Sequence, residues 1–252
     1  MKIATWNVNS LKVRLPHVLE WLAANRPDAL CLQELKMEDK VFPVAELEAA
    51  GYQAVFNGQK TYNGVAILSP HTPEAATRDI PGFADEQKRI IAATIGGVRV
   101  VSAYFPNGQA VGSDKFEYKL RWLAALTEWL RDEMKAHERL VLAGDFNIAP
   151  EDRDAHPDWK EEIHVSPPER AAFTALTELG LADAYRLFDQ PEKSYSWWDY
   201  RMLGFPKNRG LRIDHVFVTE PLVPRCKDAW IDREARKGKQ PSDHAPVLAV
   251  ID

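Results

Sequence analysis

Five places in the chain set chemically useful side chains at the end of a mostly apolar run. Asn7 and Asn9 follow the first such run, and Glu34 follows Ala29 to Gln33. Tyr104 and Asn107 follow Val98 to Ala103, Asp145 and Asn147 follow Leu140 to Gly144, and Asp243 with His244 precedes Ala245 to Ile251. Asp and Asn also serve as turn and capping residues, so the set carries the signal rather than any single member. Mg²⁺ takes oxygen ligands, using one or two carboxylates beside waters and a substrate phosphate, which suits Glu34 with one of the aspartates. No Cys-x-x-Cys or His-Glu-x-x-His spacing of a zinc site occurs. Hydrolysing a phosphodiester needs a positioned water, a base and positive groups for the charge that builds on the phosphoryl oxygens. Asp145 is a candidate base and Asn147 can orient the water. His244, in the loop Pro241 to Pro246, can meet the phosphate while Asp214 holds its imidazole.

These residues need strands that converge and helices that hold the strands in place. Lys2 to Val8 reads as a strand, and Asn9 or Ser10 can cap a helix whose Leu11, Leu15, Val18, Leu19 and Leu22 recur at helical spacing. Pro27-Asp28 ends that helix before a second strand, Ala29 to Leu32, which puts Glu34 at a strand tip. Further strands are expected around Ala54, Val65 to Leu68, Arg89 to Ile95 and Val98 to Tyr104, with Gly96-Gly97 as a hairpin turn. A helix begins at Ser113 and shows Phe116, Leu120, Leu123, Leu130 and Met134 on one face, before a buried strand from Arg139 to Ala143. Ser166-Pro-Pro-Glu169 combines a capping box with proline at the first helical position. Leu211 to Val218 and Ala245 to Ile251 complete the strands. Hairpins mixed with helical crossovers predict an α/β architecture of mixed sheets, in one domain over residues 1–252.

With 45% hydrophobic and 27% charged residues over 252 positions, the chain can bury a core and is too apolar for a disordered segment. The start MKIATWNVNS lacks the layout of a signal peptide, and no apolar run is long enough to span a bilayer; a cytoplasmic location without membrane contact is expected. The two cysteines include Cys31 in an apolar run, expected as a buried thiol. A net charge of −5 is not that of a globally basic nucleic-acid binder. Nucleic-acid binding would therefore need a local basic rim, for which Arg201, Lys207, Arg209, Arg212, Arg233, Arg236, Lys237 and Lys239 are candidates.

Seven segments, in order along the chain, resemble the exonuclease III family of AP endonucleases within the endonuclease/exonuclease/phosphatase superfamily. They are Thr5 to Ser10, Leu30 to Glu34, Asn63 to Ala66, Tyr104 to Gly108, Gly144 to Asn147, Gly210 to His215 and Ser242 to Pro246. The resemblance implies a four-layered α/β sandwich, two mixed β-sheets face to face with helices outside, and a site where strand ends meet. It implies Asn7, Glu34 and Asp243 at the metal site, Asp145 and Asn147 on the attacking water, and Asn107 and His244 on the phosphate. Tyr104 would lie beside the scissile group and Asp214 would orient His244. The implied cofactor is Mg²⁺, with Mn²⁺ as substitute, and the implied partner is double-stranded damaged DNA bound by a monomer associated with the nucleoid.

The same core serves enzymes with other substrates, so a phosphatase or nuclease acting on RNA or small phosphate esters is the alternative. Tyr195 to Arg201 and Lys207 to Arg212 favour DNA, since they resemble the family's segments along DNA and around an extruded lesion. They give Trp197, Arg201, Leu211 and Arg212 as substrate contacts, with Trp197 and Leu211 packing the deoxyribose; Trp198 reads equally well as core. The presence of Glu34, Asp145, Asn147 and His244 argues against a non-catalytic DNA-binding relative. His164 stands where the resembling AP endonucleases often carry a small residue bordering the pocket for the abasic sugar. Its bulk predicts a preference for 3′-terminal trimming over incision at internal abasic sites, unless the ring points to solvent.

Overall fold

A computed structural model describes residues 1–252. The strands, numbered along the chain, are β1 (Lys2–Asn7), β2 (Ala29–Gln33), β3 (Gln53–Asn57), β4 (Val65–Ser69), β5 (Glu74–Arg78), β6 (Ile90–Ile95), β7 (Val98–Tyr104) and β8 (Leu140–Asp145). They continue with β9 (Leu181–Asp183), β10 (Trp197–Trp198), β11 (Gly210–Leu211), β12 (Asp214–Thr219), β13 (Cys226–Ile231) and β14 (Val247–Ile251). The α-helices are α1 (Leu11–Asn25), α2 (Val44–Ala49), α3 (Asp114–Ala136) and α4 (Pro167–Glu178).

Local chemistry explains the helix boundaries. The backbone N–H of Arg26, in the left-handed region, donates to Leu22 O and closes α1 just before Pro27. The Ser113 hydroxyl accepts the Phe116 N–H at 3.2 Å, and Asp114 and Glu117 lie in the first turn of α3, where carboxylates suit the helix dipole. At α4 the Glu169 carboxylate reaches back to the Ser166 N–H and hydroxyl, at 3.2 and 2.6 Å. No helix is long and apolar enough to cross a membrane.

Two six-stranded sheets result, ordered β13-β14-β1-β2-β4-β3 and β5-β6-β7-β8-β12-β9. Both are mixed: β1 runs parallel to β2 and β7 parallel to β8, while the remaining pairs are antiparallel. One face of each sheet meets the other through Ile3, Cys31, Ile67, Val100, Val141 and Val216, and Cys31 is a free, buried thiol. The other face of the first sheet packs on α1 and α2 through Trp6, Leu22 and Leu47, and that of the second packs on α3 and α4 through Trp122, Leu126 and Phe173. This is the expected four-layered α/β sandwich. A polar strut crosses its middle layer, where the Gln33 amide accepts from the Thr5 hydroxyl at 3.1 Å and donates to the Ser102 hydroxyl at 3.2 Å. A one-residue slip of either sheet would break it, so the strut fixes the ends of β1, β2 and β7 together.

The expected strand Leu211 to Val218 is two pieces. Gly210–Leu211 pairs with Trp197–Trp198 in a small ribbon, and Asp214–Thr219 pairs with β8 and β9. The break lies at Arg212 and Ile213: Arg212 N–H donates to Asp154 O, and Ile213 O accepts from Phe146 N–H, so neither continues the ribbon.

Candidate active site

Strand direction brings the polar residues to one edge. β1, β2, β7 and β8 end there, and β12 and β14, which run the other way, begin there. Register places Tyr104 beside Asp145 and Asp145 beside Asp214 in one row across β7, β8 and β12. Glu34 and Asn147, one and two residues past their strands, adopt positive φ of 53° and 50°, a region that costs a non-glycine residue and recurs where a side chain must be aimed.

Asn7 sits between the two sheets. Its Nδ2 donates to Glu34 Oε1 and to Asp145 Oδ2, both at 2.9 Å, while its oxygen accepts the Asn9 N–H. Asn7, expected at the metal site, lies at the candidate centre with its amide nitrogen tying the Glu34 and Asp145 carboxylates together. His244 Nδ1 lies 2.9 Å from Asp214 Oδ2, which also accepts the Ser196 hydroxyl, so Nδ1 carries a proton, and Nε2 faces Asp145 Oδ2 at 3.7 Å. Burial works against the His244 cation, yet the Asp214 and Asp145 carboxylates outweigh it and push this group up to about 10. Burial raises the Asp145 carboxyl to about 7, held back by the His244 charge and the Asn7 hydrogen bond. Burial and the nearby Glu34 and Asp145 carboxylates keep Tyr104 a protonated phenol, against the pull of the Arg89 guanidinium.

The donor set fits a hard cation. Ligand atoms of Glu34, Asp145 and His244 lie within 4.8 Å of one another. Asp243, expected beside Glu34, falls outside that trio; its oxygens accept from Asn9 Nδ2 and Trp197 Nε1, each at 3.0 Å. Two carboxylate residues in a mostly buried pocket that retains one open edge suit Mg²⁺ or Mn²⁺ better than a soft metal. Asn107 and Asn147 lie against this centre: Asn107 Nδ2 approaches Asn147 Oδ1 at 3.4 Å, and Asn147 Nδ2 donates to Phe105 O.

The outer candidates divide. Trp197 stands beside His244, ring centres 6.5 Å apart, and packs edge-on against Trp159. Arg201 is exposed and paired with Asp199, on a cleft of about 610 Å³ that Trp159, Met202 and Arg209 also line. Leu211 is fully buried behind Trp197, so it supports that ring and cannot itself touch a sugar. Arg212, expected on the substrate, is buried in a salt-bridge network with Asp154 and Asp183, at 2.7 and 2.8 Å; its segment turns inward because those carboxylates lie there. Arg236 is likewise withdrawn from the basic rim, lying over Tyr200 and Phe205. His164 does not point to solvent: it is buried, with Nδ1 donating to Asn147 O at 2.8 Å and its ring 6.3 Å from Trp159.

Sequence reasoning passed over Arg89 and Trp159. The Arg89 guanidinium lies 4.8 Å above the Tyr104 ring centre and donates to Tyr104 O, and both line a second cleft of about 670 Å³ with Asn107 and Lys115. Arg89 opens a strand like any surface arginine and gave no signal; a lone tryptophan in the polar stretch Asp158 to Lys160 was a readable one.

The model of the Endonuclease/Exonuclease/phosphatase family matches residues 4–244. The chain belongs to this family. Within the family, Exodeoxyribonuclease III of Haemophilus influenzae is 38% identical over 265 residues that span 99% of each chain. The 3′ phosphatase NExo from Neisseria, solved with a product DNA hairpin, is 50% identical with a TM-score of 0.98, covering 100% of this chain and 99% of that one. An AP endonuclease from Archaeoglobus fulgidus is 40% identical with a TM-score of 0.96, covering 100% and 99%. The chain thus shares both sequence and fold, over its whole length, with the exonuclease III branch of the family.

Proposed function

We propose that this protein is a Mg²⁺-dependent DNA-repair phosphodiesterase of the exonuclease III type, and that it works on double-stranded damaged DNA as a monomer. The observation that carries the proposal is the geometry around Asp145: one oxygen accepts from Asn7, which also bridges to Glu34, the other accepts the Asn147 N–H, and the Asp214-held His244 ring faces it. Glu34 would hold the cation, which would supply charge stabilisation for the phosphoryl oxygens. Asp145 is then the group to take the proton of the attacking water, Asn147 orients that water, and Asn107 and the His244 imidazolium meet the phosphate. Tyr104, a protonated phenol held by Arg89, donates beside the scissile bond. Trp197 and Trp159 form an apolar wall for the sugar, and Arg201 and Arg209 a basic margin for the backbone.

Two activities compete for this site: removal of groups from a 3′ end, and incision at an internal abasic site. His164 favours the first, because its imidazole fills the wall between Asn147 and Trp159 and narrows the space for a nucleotide continued by DNA on both sides. The high similarity to a 3′ phosphatase supports the same preference. The test is to measure release from a nicked duplex with a 3′-phosphate, from a recessed 3′ end and from a duplex with an internal abasic site, in wild type and His164→Gly. Wild type is expected to favour the 3′-phosphate, and glycine to raise abasic incision relative to it. Vigorous abasic incision by wild type, or an unchanged ratio in the variant, removes the gate.

A further inference from the structure

Lys119 is a lysine with no exposure at all, in the middle of a catalytic domain's wall, and its ammonium is fully used. It pairs with Glu169, and it donates to the backbone carbonyls of Asn147 at 2.7 Å and Asn107 at 3.2 Å. An ammonium has three N–H donors, and these are three acceptors. Glu169 is itself held by the Ser166 N–H and hydroxyl, so the lysine is fixed between α3 and the start of α4. Its stem passes over Gly108, where a Cβ would stand 3.0 Å from Lys119 Cδ.

Stability gives little reason for this arrangement. A buried ion pair is often no better than apolar residues of equal volume, since desolvating both charges offsets their attraction. What the pair does uniquely is join two loops. The segment after β7 carries Asn107 and the segment after β8 carries Asn147; the two amides approach each other, and the only side-chain cation touching both backbones is Lys119. The Asn147 carbonyl also accepts from His164 Nδ1, and the next carbonyl, Ile148 O, lies 3.0 Å from His215 Nε2.

We propose that Lys119, held by Glu169, is a positioning residue that sets the separation of Asn107 and Asn147. It rests on the assignment of those two asparagines to the phosphate and the water. A misplacement of about 1 Å at a reacting centre can cost on the order of 100-fold in rate, whereas binding of the DNA, spread over a wide surface, depends little on it.

The test is single-turnover and steady-state cleavage of a Mg²⁺-supplied nicked duplex bearing a 3′-phosphate. The variants are Lys119→Met/Glu169→Gln, which removes both charges together, Asn147→Ala, and the three changes combined. The paired variant is expected to lose about 10- to 100-fold in kcat with KM within about 3-fold. In the Asn147→Ala background the same pair of changes should cost clearly less, because one of the two groups being positioned is gone and only the effect through Asn107 remains. A folded paired variant at the wild-type rate, or an equal loss in both backgrounds, overturns the proposal while leaving Asn147 in the mechanism. A wild-type rate for Asn147→Ala overturns the assignment of the asparagine itself, and the positioning role with it. Should the paired variant not fold, Lys119→Gln/Glu169→Gln keeps two polar side chains without the charges; a drop in kcat that shrinks in the Asn147→Ala background supports the proposal, and a wild-type rate overturns it.

Discussion

Asp145 is the side chain on which the polar contacts of the rim converge: Asn7 donates to one oxygen, the Asn147 N–H to the other, and His244 faces it. Asp145→Asn keeps the shape and removes the base, so kcat should fall by at least about 100-fold with DNA affinity little changed. Near-wild-type turnover would take Asp145 out of the mechanism. His164 gives a prediction independent of activity. Burial first, and the nearby Lys119 charge second, lower its imidazole from 6.5 to about 3. The unfolded chain therefore binds a proton that the folded one refuses: the stability is fully present above about pH 6.5 and is lost as pH falls toward 3. His164→Gln should shrink the difference in urea-unfolding free energy between about pH 7 and pH 5 by about 2 kcal/mol; an unchanged difference would mean that the ring titrates in place. Residue types at strand ends revealed the members of the site, but not their orientations. Nothing in Thr5 to Ser10 says that Asn7 offers nitrogen rather than oxygen, because that is decided by two carboxylates arriving from β2 and β8.

Elements were legible wherever chemistry is local. The capping box at Ser166, the Gly96-Gly97 turn and the stop at Pro27 all lie where the chain predicted them, since each depends on neighbours within a few residues. The edge strand β13 was missed because Lys227 and Asp228 face solvent and break the apolar run. Arg212 was misassigned for a related reason: this basic residue is buried only because Asp154 and Asp183, distant in sequence, surround it. Strand packing supplies a test of the row that carries Tyr104 and Asp145. At Gly144 a Cβ would fall 1.8 Å from Ala103 O, so β7 and β8 approach as closely as they do only with glycine there. Gly144→Ala should destabilise the fold by about 3 kcal/mol through forced backbone separation. A denaturation midpoint equal to wild type would show that the strands can move apart without cost.

At the scale of the molecule, two sheets of six strands place one edge of each at the same rim, and the net charge of −5 leaves DNA attraction to local groups such as Arg201, Arg209 and Lys160. Composition alone therefore argued against a nucleic-acid partner, while the ordered motifs argued for one; charge is an average, and the site is not. DNA binding should weaken as salt rises, with a log–log slope near −0.9 for each phosphate contacted, and a salt-independent Kd would place the duplex on some other surface. The proposed function requires metal-dependent hydrolysis at the Glu34–Asp145–His244 rim. It is tested most directly by following phosphate release from a nicked duplex with a 3′-phosphate, in wild type and Glu34→Ala, with Mg²⁺ titrated from EDTA-treated protein. No release is expected without the cation, and Glu34→Ala should require much higher Mg²⁺; release by wild type in EDTA, or an unshifted Mg²⁺ dependence in the variant, would remove the metal from the reaction.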